Sequence, residues 1–247
     1  TSSGRANTST YLLAWTTTPW SLPGDTALAI NKNLKYVKVE NSGEFYIVAS
    51  DRLKFIPILK DIDFKMGENM WEVDVNDLIG KSYIPPFDYY KNIDISNKEN
   101  IWKVWHADFV TADAGTGIAH EAPAFGEDDM NLAKENNIPF IRHVEPTGVF
   151  GKEVTDFAGE KVKPKEDHQS GDVLIIKYLA KTGALFAKEK IIHSYPHCYR
   201  CDTPLLYYAL PSWFVNIQKV KNDLLESAKV MNWIPEHLKE GRFKNIM

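Results

Sequence analysis

The sequence predicts an α+β chain dominated by β-structure, whose strands can close into a barrel up to about residue 190. Three observations support this. Short runs of β-branched and aromatic residues recur, separated by Gly, Pro and Asn turn signals. Only three stretches combine helical spacing with start and stop residues. The 247 residues include 12 Phe, 11 Tyr and 7 Trp, enough for one large core and a satellite.

Residues 1–10 are polar and read as a disordered lead-in or cloning remnant, without the apolar core of a leader peptide. Y-L-L-A-W-T-T-T (11–18) reads as a strand stopped by Pro19, and S-L-P-G-D (21–25) as a turn. T-A-L-A-I (26–30) is a short strand. K-Y-V-K-V-E and E-F-Y-I-V-A alternate around N-S-G, a hairpin signal. Residues 51–100 are mixed, with a turn at Pro85-Pro86. A-D-F-V-T-A (107–112) and G-I-A-H-E-A (117–122) read as two strands joined around D-A-G-T-G.

E-D-D-M-N-L-A-K-E-N-N (127–137) is a short helix whose acidic start suits the positive end of the helix dipole. D-V-L-I-I-K-Y-L-A-K-T-G (172–183) is a second, with Asp172 as N-cap and Gly183 as stop. A third runs from about 216 to 232, with Ile217, Val220, Leu224, Ala228 and Met231 on one buried face. The organisation expected is a lead-in at 1–10, a β-domain at 11–190 and a distinct segment at 191–247. The segment ends without an obvious terminal structure, as if cut from a longer chain.

The net charge of −4 argues against a wholly basic nucleic-acid binder but leaves room for a local basic patch. No apolar run approaches the ~20 residues that span a bilayer. Two cysteines make a disulfide framework a poor expectation and point to a reducing, cytoplasmic setting.

Three constellations could carry chemistry. In T-T-T-P-W, Thr16, Thr17 and Thr18 offer uncharged donors and acceptors. On a regular strand Thr17 points away from its neighbours, so all three serve one pocket only if the strand ends or bends at Pro19. In G-T-G-I-A-H-E-A-P-A-F-G-E-D-D (115–129) the glycines admit close backbone approach. There His120 and Glu121 take opposite strand faces, which weakens a metal reading, while Asp128 and Asp129 sit where helices are capped. Cys198-Tyr-Arg-Cys201, with His193 and His197 nearby, is either half of a zinc site or two free thiols. G-x-S-x-G, H-E-x-x-H and the phosphate-binding G-x-x-x-x-G-K-[ST] are all missing from the sequence.

Taken in order, T-T-T-P-W-S-L-P, G-T-G-I-A-H-E-A-P, the aspartate nine positions after the histidine, S-Y-P-H-C-Y-R-C and P-S-W-F-V resemble the editing domain of isoleucyl-tRNA synthetase. The resemblance runs from about residue 12 to the end. Valyl and leucyl enzymes typically carry Lys or Met where this chain has His120, and A-P-A-F-G resembles the eukaryotic cytosolic type. The catalytic core's H-I-G-H and K-M-S-K-S do not occur, so ATP-dependent activation is expected only of the parent enzyme. The fold implied is a β-barrel with peripheral helices.

The resemblance implies hydrolysis of valine esterified to tRNA(Ile). One methylene in an apolar pocket is worth only ~1–3 kcal/mol, a magnitude for which isoleucyl synthetases are the standard example, so a second site must remove the wrong product. Asp129 would anchor the substrate's α-ammonium, and His120 would close the side-chain pocket against isoleucine. Thr16, Thr17 and Thr18 would hold the ester, the attacking water and the ribose. Trp20 would either pack on the terminal adenosine or support the Thr segment. Asp25 stands where the family often has Asn, and so would bind substrate without an amide's donors.

No cofactor and no complete metal site are expected, because the partners of Cys198 and Cys201 would lie outside this chain. That leaves room for zinc in the full-length parent. Expected partners are the tRNA(Ile) acceptor end carrying valine and the rest of the synthetase, with no membrane and a monomeric state. A valyl or leucyl editing domain, or an acceptor-end binding module inactive in isolation, are the alternatives.

Overall fold

The computed structural model describes residues 9–191 and 194–246, so the expected lead-in falls almost wholly outside the described residues. The chain forms two compact units that divide between Ala209 and Leu210. The first unit continues past residue 190, with Leu206 and Tyr208 packed on its largest core cluster.

That unit holds two small sheets. In one, β1 (Thr10–Leu12) pairs in parallel with β4 (Glu44–Ala49). The antiparallel hairpin of β3 (Tyr36–Asn41) with β4 is the one the alternating pattern predicts. Ser42 and Gly43, at φ 55° and 84°, supply the two left-handed positions that such a tight hairpin needs. β5 (Met70–Val73) adds antiparallel to β3 and leads into a single turn of helix, α1 (Val75–Leu78), N-capped by the Asp74 side chain. In the other sheet β2 (Ala27–Ile30) lies between β6 (Lys103–His106), parallel, and β7 (Ile118–Glu121), antiparallel.

The α+β class is as expected, but the barrel is not closed. Among the described residues the strands form two ladders, of four and three strands. The physical reason lies at Trp15. β1 ends at Leu12, short of the strand expected over 11–18. The chain then steps across, with Leu13 N–H on the Ile47 carbonyl of β4 and Trp15 N–H on the Ile118 carbonyl of β7. One bridge, Trp15 to Ala119, stands where a ladder would close the wall, because the chain turns into the helical segment Pro19–Gly24. The sheets also meet where Ala49 N–H donates to Thr116. At that contact Gly117, at φ 77°, brings its backbone against Ala49, and an added Cβ would lie 2.4 Å from the Ala49 Cβ. This is the close approach expected of G-T-G.

The strand expected over 107–112 is instead an irregular bend. The β6 ladder ends as Ala107 N–H reaches Ile30, and the Asn31 amide then takes the carbonyls of Asp108 and Val110, so no extended partner is available.

α2 (Glu127–Asn136) and α3 (Ser170–Thr182) form as their sequences imply. α2 ends on left-handed Asn137 and α3 on Gly183. The N-cap of α2 is Gly126, so Asp128 and Asp129 are not caps. Nor is Asp172 the cap of α3. It lies inside the first turn, where it accepts the Trp20 N–H at 3.1 Å and pairs with Lys163. That contact ties α3 to the Pro19–Gly24 segment over a core of Trp20, Phe125, Phe150, Phe157 and Ile175.

Gly24 belongs to this contact. A Cβ there would lie 2.1 Å from Nδ1 of fully buried His143. Gly24→Ala is expected to lower stability by about 1–3 kcal/mol through overpacking. A urea midpoint equal to wild type would show that His143 moves aside freely.

In the second unit, α4 (Ile217–Val230) is N-capped by the Asn216 side chain. Its apolar face is less covered than its spacing suggests. Ala228 is buried, Ile217, Val220 and Leu224 are half-buried, and Met231 lies exposed beyond the helix end. The terminus is also more ordered than expected. Leu238–Phe243 forms a π-helical stretch and Lys244–Ile246 a final helical turn, α5, with Trp233 and Phe243 packed at 5.1 Å.

Candidate functional site

The turn at Thr17 brings Thr16 and Thr18 to one place and leaves Thr17 exposed. Thr16 Oγ1 accepts the Thr18 backbone N–H at 2.9 Å and lies 3.4 Å from Thr18 Oγ1. β7 runs beside this turn through the Trp15 bridge and presents His120. Nε2 of His120 lies 3.0 Å from Thr16 Oγ1 and 3.2 Å from Ser21 Oγ, while Ser21 also meets Thr18 Oγ1 at 3.1 Å and donates to the Thr18 carbonyl. Two hydroxyls therefore meet one ring nitrogen, and the Thr18 hydroxyl joins them from behind.

On the other side of the ring, Nδ1 faces Asp25 Oδ1 at 3.8 Å, with the two side chains only 8% and 5% exposed. Asp25 Oδ2 accepts the Tyr83 hydroxyl, and the Trp102 indole N–H donates to the Asp25 carbonyl. Burial pushes the Asp25 carboxyl up to about 8. The Tyr83 hydroxyl and the Glu121 amide pull it down, and the charge of Asp129 pushes it further up. Burial lowers His120, against an opposing pull from Asp129.

Asp129 stands on the first turn of α2, where Oδ2 accepts the Ala122 N–H at 2.7 Å. Gly126 makes room for that carboxylate, since a Cβ there would lie 2.4 Å from Oδ1. The Asp129 charge acts on Asp25, His120 and Glu121 together. Glu121, on the opposite strand face from His120, is 1% exposed with neither carboxyl oxygen hydrogen-bonded, and burial above all holds it well above the usual carboxylate range.

Trp20 is buried at 3% exposure, edge-on to Phe125, and its carbonyl is bonded to His143 Nε2. Burial lowers His143 to about 4, so its ring is neutral and belongs to the core. Cys198 and Cys201 form a separate turn, closed by the Cys198 N–H on the Thr203 carbonyl and the Asp202 N–H on the Cys198 carbonyl. The Cys201 thiol is lowered to about 7 by its hydrogen bonds to Thr203 and to Cys198, which suits a thiolate ligand. The turn offers two sulfur donors, half of a four-ligand set. Among the described residues no three His, Cys, Asp or Glu side chains are grouped to hold a metal. His193 lies outside the described residues.

The structure thus joins Thr16, Thr18, Asp25, His120 and Asp129 in one neighbourhood, and sets Thr17, Trp20 and the cysteines apart from its hydroxyl cluster. Sequence reasoning missed Ser21, Tyr83 and the buried state of Glu121. Ser21 could have been found as a fourth hydroxyl three residues after Thr18. Tyr83 carries no local signal.

The family model of tRNA synthetases class I (I, L, M and V) matches residues 14–247. The chain belongs to that family. Within it, this synthetase chain is 42% identical over 237 residues to the isoleucine–tRNA ligase of Bacillus thuringiensis (strain Al Hakam), covering 96% of the chain and 21% of that ligase. It is 41% identical over 243 residues to that of Treponema denticola, covering 95% and 22%. It therefore spans about a fifth of the length of the curated relatives it matches. The crystal structure of GlLeuRS-CP1 superposes with a TM-score of 0.54 at 16% identity, covering 75% of this chain and 87% of that one. The synthetase module accordingly has the fold of a leucyl-tRNA synthetase CP1 unit with a sequence of the isoleucyl kind. No helix among the described residues is long and apolar enough to cross a membrane.

Proposed function

We propose that the chain is the editing module of an isoleucyl-tRNA synthetase and hydrolyses the ester of valyl-tRNA(Ile). The observation that carries this reading is the meeting of Thr16 and Ser21 at His120 Nε2, with the Thr18 hydroxyl joined to both, in the field of the Asp129 carboxylate. An aminoacyl ester is already activated, so its hydrolysis needs a held substrate, a placed water and donors for the developing oxyanion more than a covalent nucleophile.

In this reading Asp129 holds the α-ammonium, and the Thr16 and Thr18 hydroxyls hold ester and water. His120, held through Nε2 by Thr16 and Ser21, is the wall of the side-chain pocket. Trp20 supports the Thr segment from the core, which its burial favours over stacking on adenosine. Thr17, exposed at the turn, is left to the ribose or the water. The partners that go with the reading are the acceptor end of tRNA(Ile) and the rest of the parent enzyme, with the module monomeric and cytoplasmic. The zinc question belongs to the Cys198–Cys201 turn and not to the hydrolytic step.

Deacylation of valyl-, isoleucyl- and threonyl-tRNA by the full-length parent tests the assignment. Turnover of valyl-tRNA(Ile) is expected, with isoleucyl-tRNA(Ile) spared. Salt-dependent binding without turnover would leave only an acceptor-end binding module. His120→Ala is expected to admit isoleucine, making correctly charged tRNA a substrate at a rate within about tenfold of valyl-tRNA, as one methylene's worth of discrimination is lost. Continued protection of isoleucyl-tRNA would remove His120 from the pocket wall.

A further inference from the structure

Asp25 ends the Pro19–Gly24 turn just before β2 and looks across to β7. Its Oδ1 and the His120 Nδ1 face each other at 3.8 Å, and both are buried without a hydrogen-bond partner among the described residues. The second ring nitrogen, Nε2, is shared by Thr16 Oγ1 and Ser21 Oγ. A neutral imidazole carries one donor nitrogen and one acceptor, so whatever Nδ1 does decides what Nε2 can do.

We propose that Asp25 is a positioning residue that sets the tautomer of His120, and through it the direction of the hydrogen bond to Thr16. Only the effect on ester hydrolysis rests on the editing reading.

Two states follow. With Asp25 protonated, its O–H points from Oδ1 at a bare Nδ1, the ring proton sits on Nε2, and Nε2 donates to a hydroxyl oxygen. The Thr16 proton is then free to donate onward, while Ser21 keeps its own on the Thr18 carbonyl. With Asp25 ionised, Oδ1 needs a donor, so the ring proton sits on Nδ1. Nε2 is bare and accepts from Thr16, since the Ser21 proton is already given to the Thr18 carbonyl. The change releases one proton to solvent and leaves the ring neutral.

The titratable groups facing Asp25 are Tyr83 from the loop after α1, His120 and Glu121 from β7, and Asp129 from α2. Tyr83 is held well above its usual range and keeps its proton, and so donates to Oδ2 in both states. Asp128 bears on Glu121, and His143 senses His120. Burial keeps Asp25 in its acid form at neutral pH and places the change at an accessible alkaline pH, about 8.

The test is the ¹⁵N shifts of the His120 ring in the 247-residue chain between about pH 6 and 10. A single transition is expected, with Nε2 moving from proton-bearing to bare and Nδ1 the reverse. Asp25→Asn, nearly isosteric, should abolish it. Tyr83→Phe, which removes a bond to the ionised carboxylate, should move it to higher pH. Deacylation of valyl-tRNA(Ile) by the full-length parent, followed over the same range, should show the transition in wild type and lose it in Asp25→Asn. A ring tautomer that never changes, or a transition that survives Asp25→Asn, overturns the proposal. A ring that titrates as described in a parent that never deacylates valyl-tRNA would sink the editing reading and leave the role of Asp25 standing.

Discussion

Asp129→Asn in the full-length parent is expected to slow clearance of valyl-tRNA(Ile) by roughly 10- to 100-fold. The proposed contact is a charge-assisted pair between the Asp129 carboxylate and the substrate's α-ammonium. Such bonds are worth about 1.5–3 kcal/mol, which converts to that factor in rate at about 1.4 kcal/mol per tenfold. Asparagine is the sharper probe than alanine. Its carbonyl oxygen can still accept the Ala122 N–H that Asp129 Oδ2 now takes at 2.7 Å, so the join between β7 and α2 is kept and only the charge is lost. Alanine would also strip a partner from a backbone amide in a buried stretch of chain. Single-turnover deacylation with an unchanged far-ultraviolet spectrum checks the result, and a variant that clears valyl-tRNA at the wild-type rate ends the anchor assignment.

Stability of the chain is expected to fall as pH rises from about 4 to about 8, and Asp25→Asn should remove much of that fall. The Asp25 carboxyl is raised from 3.8 to about 8 by burial in the fold. The native state therefore holds a proton that the unfolded chain releases. Its contribution is fully present below pH 4 and is lost as pH climbs through the folded value, at about 1.4 kcal/mol per pH unit. Glu121, also raised and without a bonded oxygen, pushes in the same direction. At pH 7 the asparagine variant should be the more stable by an amount on the order of a few kcal/mol, with little difference at pH 4. Urea midpoints of both chains at several pH values measure this. Parallel curves with a constant offset would mean that Asp25 is ionised in the fold across the range.

Much of the local structure is legible in the residues. The β3–β4 hairpin follows from alternation about N-S-G, because Ser42 and Gly43 take the positive φ angles that the turn demands. α2 and α3 stop at residues that tolerate the left-handed region. The tight packing around G-T-G follows from residues without a Cβ. What misled was borrowed context. Asp172 looks like an N-cap in isolation, yet its carboxylate goes to the Trp20 amide and Lys163. A-D-F-V-T-A has strand composition, yet Asn31 consumes its carbonyls.

The candidate site divides the same way. Residue types and spacing picked out Thr16, Thr18 and His120 as candidates, the family resemblance added Asp25 and the role of Asp129, and strand alternation alone separated His120 from Glu121. Order along the chain also pointed to the synthetase family. The three-dimensional fold decided the rest. The step across at Trp15 leaves two sheets where a barrel was expected, and the bend at Thr17 takes that residue out of the hydroxyl cluster. Ser21 and His120 are 99 residues apart and Tyr83 and Asp25 are 58 apart, so no local pattern encodes either pair. Above all, the protonation of Asp25 and Glu121 is a matter of desolvation. A carboxyl in a sequence carries its ordinary acidity, and only the packing of β2, β7 and α2 around it removes the water that would keep it charged.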